Sequence, residues 1–304
     1  MSSLPDKDPY VPPVDQPDWI DIELVPRARD IGDFEVRRLL PYAKRRMVGP
    51  FVFFDHMGPA LFDAGHAMDV RPHPHIGLAT VTYLFEGEIM HRDSLGFEQV
   101  IRPGEVNWMT AGRGIVHSER TPNHLRGKSS RLHGLQTWVA LPKAHEETDP
   151  AFFNFAADRL PKIEGVGTNV TVIAGEAWGE TSPVKVFSGT LYADVYLKAS
   201  ARIDLPNADE RAIYVLEGSV RVRERDFDAN AFVVFAKGKE IVVEAMADSH
   251  FVVVGGETMD GPRHIWWNLV SSSQERIEQA KADWKGGRFP TIPGDDKEFI
   301  PLPD

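Results

Sequence analysis

Val81-Thr82-Tyr83-Leu84-Phe85-Glu86-Gly87 returns in outline as Ala212-Ile213-Tyr214-Val215-Leu216-Glu217-Gly218. Both are short runs rich in β-branched and aromatic residues closed by Glu-Gly, the composition of a strand entering a turn. The two Glu-Gly pairs lie 131 positions apart, at 86 and 217. A second match follows in the same order, Ala111-Gly112-Arg113-Gly114-Ile115-Val116 against Lys237-Gly238-Lys239-Glu240-Ile241-Val242, with Ile115 and Ile241 offset by 126. Two similar offsets in one order predict a duplicated β unit with a small deletion.

The rest of the chain fits that expectation. Apolar runs such as Phe51–Phe54, Leu135–Leu141, Leu191–Leu197 and Phe251–Val254 are separated by 25 Gly and 23 Pro spread along the length. Many short strands with dense turn signals predict an all-β fold of barrels or sandwiches. The boundary is expected between about Phe155 and Val184, where Gly, Pro and polar residues gather. This divides the chain into residues 1–155 and 156–304. A single helix is expected at Ser273–Lys285, with serines before it and Gly286-Gly287 after it. The segment Arg288–Asp304 carries four prolines and is expected to run extended over the surface.

Composition narrows the function. At 304 residues and 42% apolar content, the chain can bury two cores. No apolar stretch approaches the roughly 18 residues of a membrane span. Met1–Asp18 is rich in Pro and Asp and lacks an apolar signal core, so a cytoplasmic location is expected. There is no cysteine, so any metal must be held by nitrogen and oxygen. A net charge of −11 disfavours direct nucleic-acid binding, and Lys44-Arg45-Arg46 is too short a basic run to reverse that. No Gly-x-Ser-x-Gly elbow occurs. Gly112-Arg113-Gly114 lacks the spacing of a nucleotide loop.

The chemistry is concentrated in histidines. In a strand, His73 and His75 of His73-Pro74-His75 point to one face, about 6.6 Å apart. His117-Ser118-Glu119 repeats that spacing after a glycine turn. Two such pairs on facing strands offer three nitrogens and one oxygen to a single ion. Imidazole with carboxylate suits Fe(II), Mn(II), Ni(II), Cu(II), Co(II) or Zn(II), and the spacing does not choose among them. His133 reads as structural. His56 is expected near the site or in a loop, and His91 in the pocket or on the surface. His66, His124, His145, His250 and His264 have no ligand-like spacing, and Trp266-Trp267 reads as packing.

Four stretches carry a family resemblance: Arg45-Arg-Met-Val-Gly-Pro-Phe-Val-Phe-Phe-Asp-His56, Arg71-Pro-His-Pro-His-Ile-Gly77, Trp108-Met-Thr-Ala-Gly-Arg-Gly-Ile-Val-His-Ser-Glu119 and Gly261-Pro-Arg-His-Ile-Trp-Trp-Asn268. Together they resemble the pirins, within the cupin superfamily. The resemblance implies a bicupin with one divalent metal, usually iron, in the N-terminal barrel only. Its ligands fall on His73, His75, His117 and Glu119. Some pirins cleave quercetin as 2,3-dioxygenases and others act as protein-binding regulators. The expected partners are therefore a flavonol with O₂, or a protein. In the first case Glu119 would take the flavonol's hydroxyl proton. A monomer is expected, since two barrels can bury each other. One residue departs from the pattern: many pirins have Glu where Ala79 stands, which bears on the surroundings of the site. The repeat argues for one metal as well. At offsets of 131 and 126, His73, His75, His117 and Glu119 correspond to Asp204, Pro206, Val243 and Ala245, none of which supplies a ligand nitrogen.

Overall fold

The computed structural model describes residues 16–31 and 34–303; most of the Pro- and Asp-rich stretch Met1–Asp18 lies outside them. The duplication is visible as two pairs of facing antiparallel sheets. In the first half, seven strands run in the order Ala151–Phe155, Val106–Thr110, Leu78–Glu86, Ser130–Ala140, Phe51–Phe62, Glu35–Leu40, Arg27–Asp30. Four more, Asp69–His75, Ile115–Arg120, Ile89–Asp93 and Glu98–Ile101, form the second sheet of that barrel. The other half repeats the plan: Ile20–Leu24, Phe232–Phe235, Glu210–Glu217, Ser249–Gly256, Thr190–Leu197, Thr168–Ala177 and Lys162–Gly165, with Arg202–Asp204, Val242–Ala245, Ser219–Val222 and Arg225–Asp228 as the smaller sheet.

The quoted repeats occupy matching strands, Leu78–Glu86 and Glu210–Glu217, each central in its large sheet. Such a strand is buried on both faces, which is why its sequence is a nearly continuous apolar run. Ala79, Val81 and Tyr83 face a core shared by the two barrels. That shared core is aromatic. Phe51 meets Tyr192 edge to face with centroids 5.4 Å apart, and Phe54 meets Tyr214 and Phe232 at 5.5 and 5.6 Å. Burying one such ring contributes about 1.5–3 kcal/mol. A polar layer crosses the same interface. His56 Nδ1 lies 2.8 Å from the Tyr214 hydroxyl and its Nε2 lies 2.8 Å from His133 Nε2. Tyr83 donates to Asp194 at 3.1 Å. His56 is thus in a strand and not in a loop, turned to the barrel interface between the cavity-lining Asp55 and Met57.

The two ends of the chain cross over. Ile20–Leu24 hydrogen-bonds to Phe232–Phe235 and so completes the second barrel. The helix Gln274–Lys285, capped by the Ser273 hydroxyl accepting from the Arg276 amide at 3.2 Å, packs on the first. There Ile277 and Ala280 join Ile76 and Leu269 in a small apolar cluster. The tail beyond it has no regular structure, as its prolines predict, but it is anchored. Ile300 donates its amide to the Pro72 carbonyl at 2.9 Å. Asp295 accepts from Ser118 at 2.7 Å and from Arg120 at 2.8 Å. A cut at 155 therefore separates most strands of the two large sheets but not the space they fill.

Candidate metal centre

Asp69–His75 and Ile115–Arg120 are neighbouring antiparallel strands, with His117 opposite His73 and Ile115 opposite His75. Gly112, at φ +52°, makes the turn before the second strand. A Cβ there would lie 2.0 Å from the Thr148 carbonyl oxygen, so the close approach requires glycine. Same-face spacing then brings the three imidazoles together inside the barrel. One ligand nitrogen from each of His73, His75 and His117 lies within 4.8 Å of the other two. His75 Nε2 and His117 Nε2 are 3.1 Å apart. Two adjacent ligands at about 2.1 Å from one ion stand roughly 3.0 Å apart, so this spacing fits a metal.

The other ring nitrogens are occupied. His73 Nδ1 lies 2.9 Å from the Arg71 carbonyl and His75 Nδ1 3.0 Å from the Asn268 carbonyl. A carbonyl only accepts, so both Nδ1 atoms carry the proton and both Nε2 atoms present a lone pair. All three rings are buried. Burial, with the neighbouring imidazoles, holds His75 and His117 well below the usual histidine range and brings His73 down to about 4. The rings are accordingly neutral, as metal ligands must be.

Glu119 does not join this convergence. The register slips between His117 and Glu119, so that Glu119 stands opposite Val70. Its carboxylate lies 3.4 Å from the Thr82 hydroxyl and is also hydrogen-bonded by Gln136. Burial raises it to about 7 despite these two bonds. The structure thus gathers three of the four expected ligands and sets the fourth beside them on the cavity wall.

The cavity measures about 310 Å³ and reaches His73, His75 and Glu119. One wall is the stacked pair Phe53 and Trp138, with centroids 3.9 Å apart and planes 12° from parallel. The Arg38 guanidinium lies 4.5 Å over the Phe53 ring and pairs with both oxygens of Asp55 at 2.8 and 2.7 Å. Trp267, Asn268 and Ile300 arrive from the C-terminal segment. Trp267 is therefore part of the cavity, where the sequence read as packing. Ala79 is not: it lies wholly in the inter-barrel core, so its departure from Glu touches the barrel interface and leaves the cavity wall unchanged. His133 is structural, as expected. Asn268, Arg38 and Asp55 carry no spacing signal, because they come from distant strands. His91 carried one that went unread: His91-Arg92-Asp93 has the same alternate spacing as His117-Ser118-Glu119. It is buried, in contact with His117.

The second barrel has lost this chemistry throughout. Strand pairing aligns His117 with Val243 and Glu119 with Ala245, as the repeat predicted. It aligns His73 and His75 with Ile203 and Leu205, one residue before the positions given by the 131 offset. Gln136 corresponds to Val253. All of these pack in one apolar cluster. Among the described residues, His73, His75 and His117 are the one group that could hold a metal ion.

Comparison with known proteins agrees with the architecture. The pirin family profile matches residues 33–139, and that of the pirin C-terminal cupin domain matches 192–290. A pirin-like protein of Caulobacter vibrioides is 51% identical over 94% of this chain and 100% of its own length. Human pirin is 32% identical over 83% of this chain and 87% of its own. The crystal structure of quercetin 2,3-dioxygenase from Acinetobacter baumannii superposes with a TM-score of 0.86 at 36% identity, covering 94% of this chain and 95% of that one. The chain, with its two cupin domains, belongs to the pirin family.

Proposed function

We propose that the protein is a metal-dependent dioxygenase that opens the ring of a flavonol such as quercetin with O₂, releasing carbon monoxide, and that its metal is iron(II). The observation that carries this reading is the set of three buried, neutral imidazoles, two of which, His73 and His75, line a cavity with an aromatic wall. The similarity to the Acinetobacter dioxygenase supports it. His73, His75 and His117 would hold the metal. When bound, such an ion supplies Lewis acidity toward the flavonol oxygens and redox chemistry toward O₂.

The protein's own groups supply the rest. Phe53 and Trp138, stacked on each other, give the cavity an apolar wall against which a fused aromatic ring packs. The Arg38–Asp55 pair offers a donor and an acceptor to ring hydroxyls. Trp267 and Ile300 add apolar surface to the cavity lining. Glu119 accepts the flavonol's hydroxyl proton, a role suited to a carboxyl that burial holds near neutrality.

The test is reconstitution with iron(II) without oxygen, followed by quercetin and air. Loss of flavonol absorbance together with carbon monoxide release is expected. His75→Ala should lose both metal and turnover. Glu119→Gln should keep the metal and slow turnover by about 10²–10⁴-fold. Absence of turnover with iron, manganese, nickel, copper and cobalt alike would overturn the proposal.

A further inference from the structure

Carbonyl oxygens fix the tautomers of His73 and His75, but His117 has none. Its Nδ1 faces another imidazole, His91 Nδ1, at 3.5 Å. His91 is held from two sides. Its ring stacks on Phe152, with centroids 4.4 Å apart and planes 12° from parallel. Its Nε2 lies 3.0 Å from Asp93 Oδ2. Asp93 is itself fully buried, and its Oδ1 accepts from the Leu95 and Phe97 amides at 2.9 and 3.2 Å.

The direction of this chain of contacts follows from what each atom can do. An ionised carboxylate only accepts, so the proton between Asp93 and His91 sits on His91 Nε2. A neutral His91 then offers a lone pair at Nδ1. His117 must meet it with Nδ1–H, which leaves His117 Nε2 bare toward His75 Nε2. We infer that His91 and Asp93 are positioning residues that set the tautomer and orientation of His117 as a metal ligand. The inference rests on the reading of His117 as a ligand given above.

The internal duplication provides an independent observation. Strand pairing aligns His91 with Val220 and Asp93 with Val222, next to the valine that replaces His117. The relay and the ligand it serves are absent together from the second barrel.

Asp93→Asn is the decisive variant. Its Oδ1 can still accept from the Leu95 and Phe97 amides, so the loop keeps its anchors. Its Nδ2 would donate to His91 Nε2, forcing the proton onto His91 Nδ1 and then onto His117 Nε2. Zinc(II) affinity, measured by competition with a chromophoric chelator, should fall about 10–100-fold. Nitrogen-15 imidazole spectra of the metal-free protein should show His117 changing from the Nδ1–H to the Nε2–H form. His91→Phe, which keeps the stack on Phe152, should weaken zinc(II) by a similar factor. If His117→Ala removes zinc binding while both variants bind as the parent does, the relay is overturned and the ligand reading stands. If His117→Ala binds zinc(II) unchanged, the ligand reading itself fails and takes the relay with it.

Discussion

Single residues divide here into those that hold the centre and those that hold the barrels together. His56 belongs to the second group, and its burial has a measurable cost. Desolvation, with His133 close by, lowers it to about 3. Desolvation, with His250 nearby, lowers His133 as well. A histidine kept below its unfolded value contributes fully above about pH 6.5, and that contribution is lost as pH falls from there toward 3. One such group steepens the loss by up to about 1.4 kcal/mol per pH unit. Urea titrations between pH 7 and 4 should therefore show falling stability, and His56→Gln should flatten that slope. An unchanged slope in the variant would remove His56 as its source. Glu119 shows what reading by residue type misses. Its spacing from His117 predicted a fourth ligand, whereas the group of converging nitrogens forms without it, beside a register slip that depends on the neighbouring strand.

Among elements, Asp69–His75 is the one on which the others depend. It carries two imidazoles and is followed two residues on by Gly77, whose φ is +69°. A Cβ on Gly77 would lie 2.0 Å from the Val270 carbonyl oxygen. Gly77→Ala would push Leu269–Ser271 away and move Asn268 off His75. The expected loss is about 1–2 kcal/mol from the backbone alone, with more from the clash. A lower urea midpoint at unchanged slope, together with weakened zinc(II) binding, would show it. Such elements were partly legible. Alternation exposed His73 with His75, and capping residues located the helix Gln274–Lys285 within a residue. The duplicated Glu-Gly runs found the paired central strands. What stayed hidden was whatever depends on meeting across the chain: Arg38 with Asp55, Asn268 with His75, and the one-residue difference between offsets that matches His73 to Ile203.

For the whole molecule, the important feature is that each barrel is finished by the far end of the chain. A fragment of residues 1–155 would lack Leu269, Ile277 and Ile300, and would expose Phe51 and Phe54 to water. It should show no cooperative unfolding transition and no stoichiometric zinc(II) binding. A stable, metal-binding fragment would show that the crossing is dispensable. The crossing also sets an order in time. A ribosome delivers His73, His75 and His117 well before it delivers Asn268, which lies 193 positions after His75. The carbonyl that orients His75 does not yet exist when the three imidazoles first leave the exit tunnel. Assembly of the complete site, with the carbonyl of Asn268 against His75, is thus a late event in the life of a nascent chain.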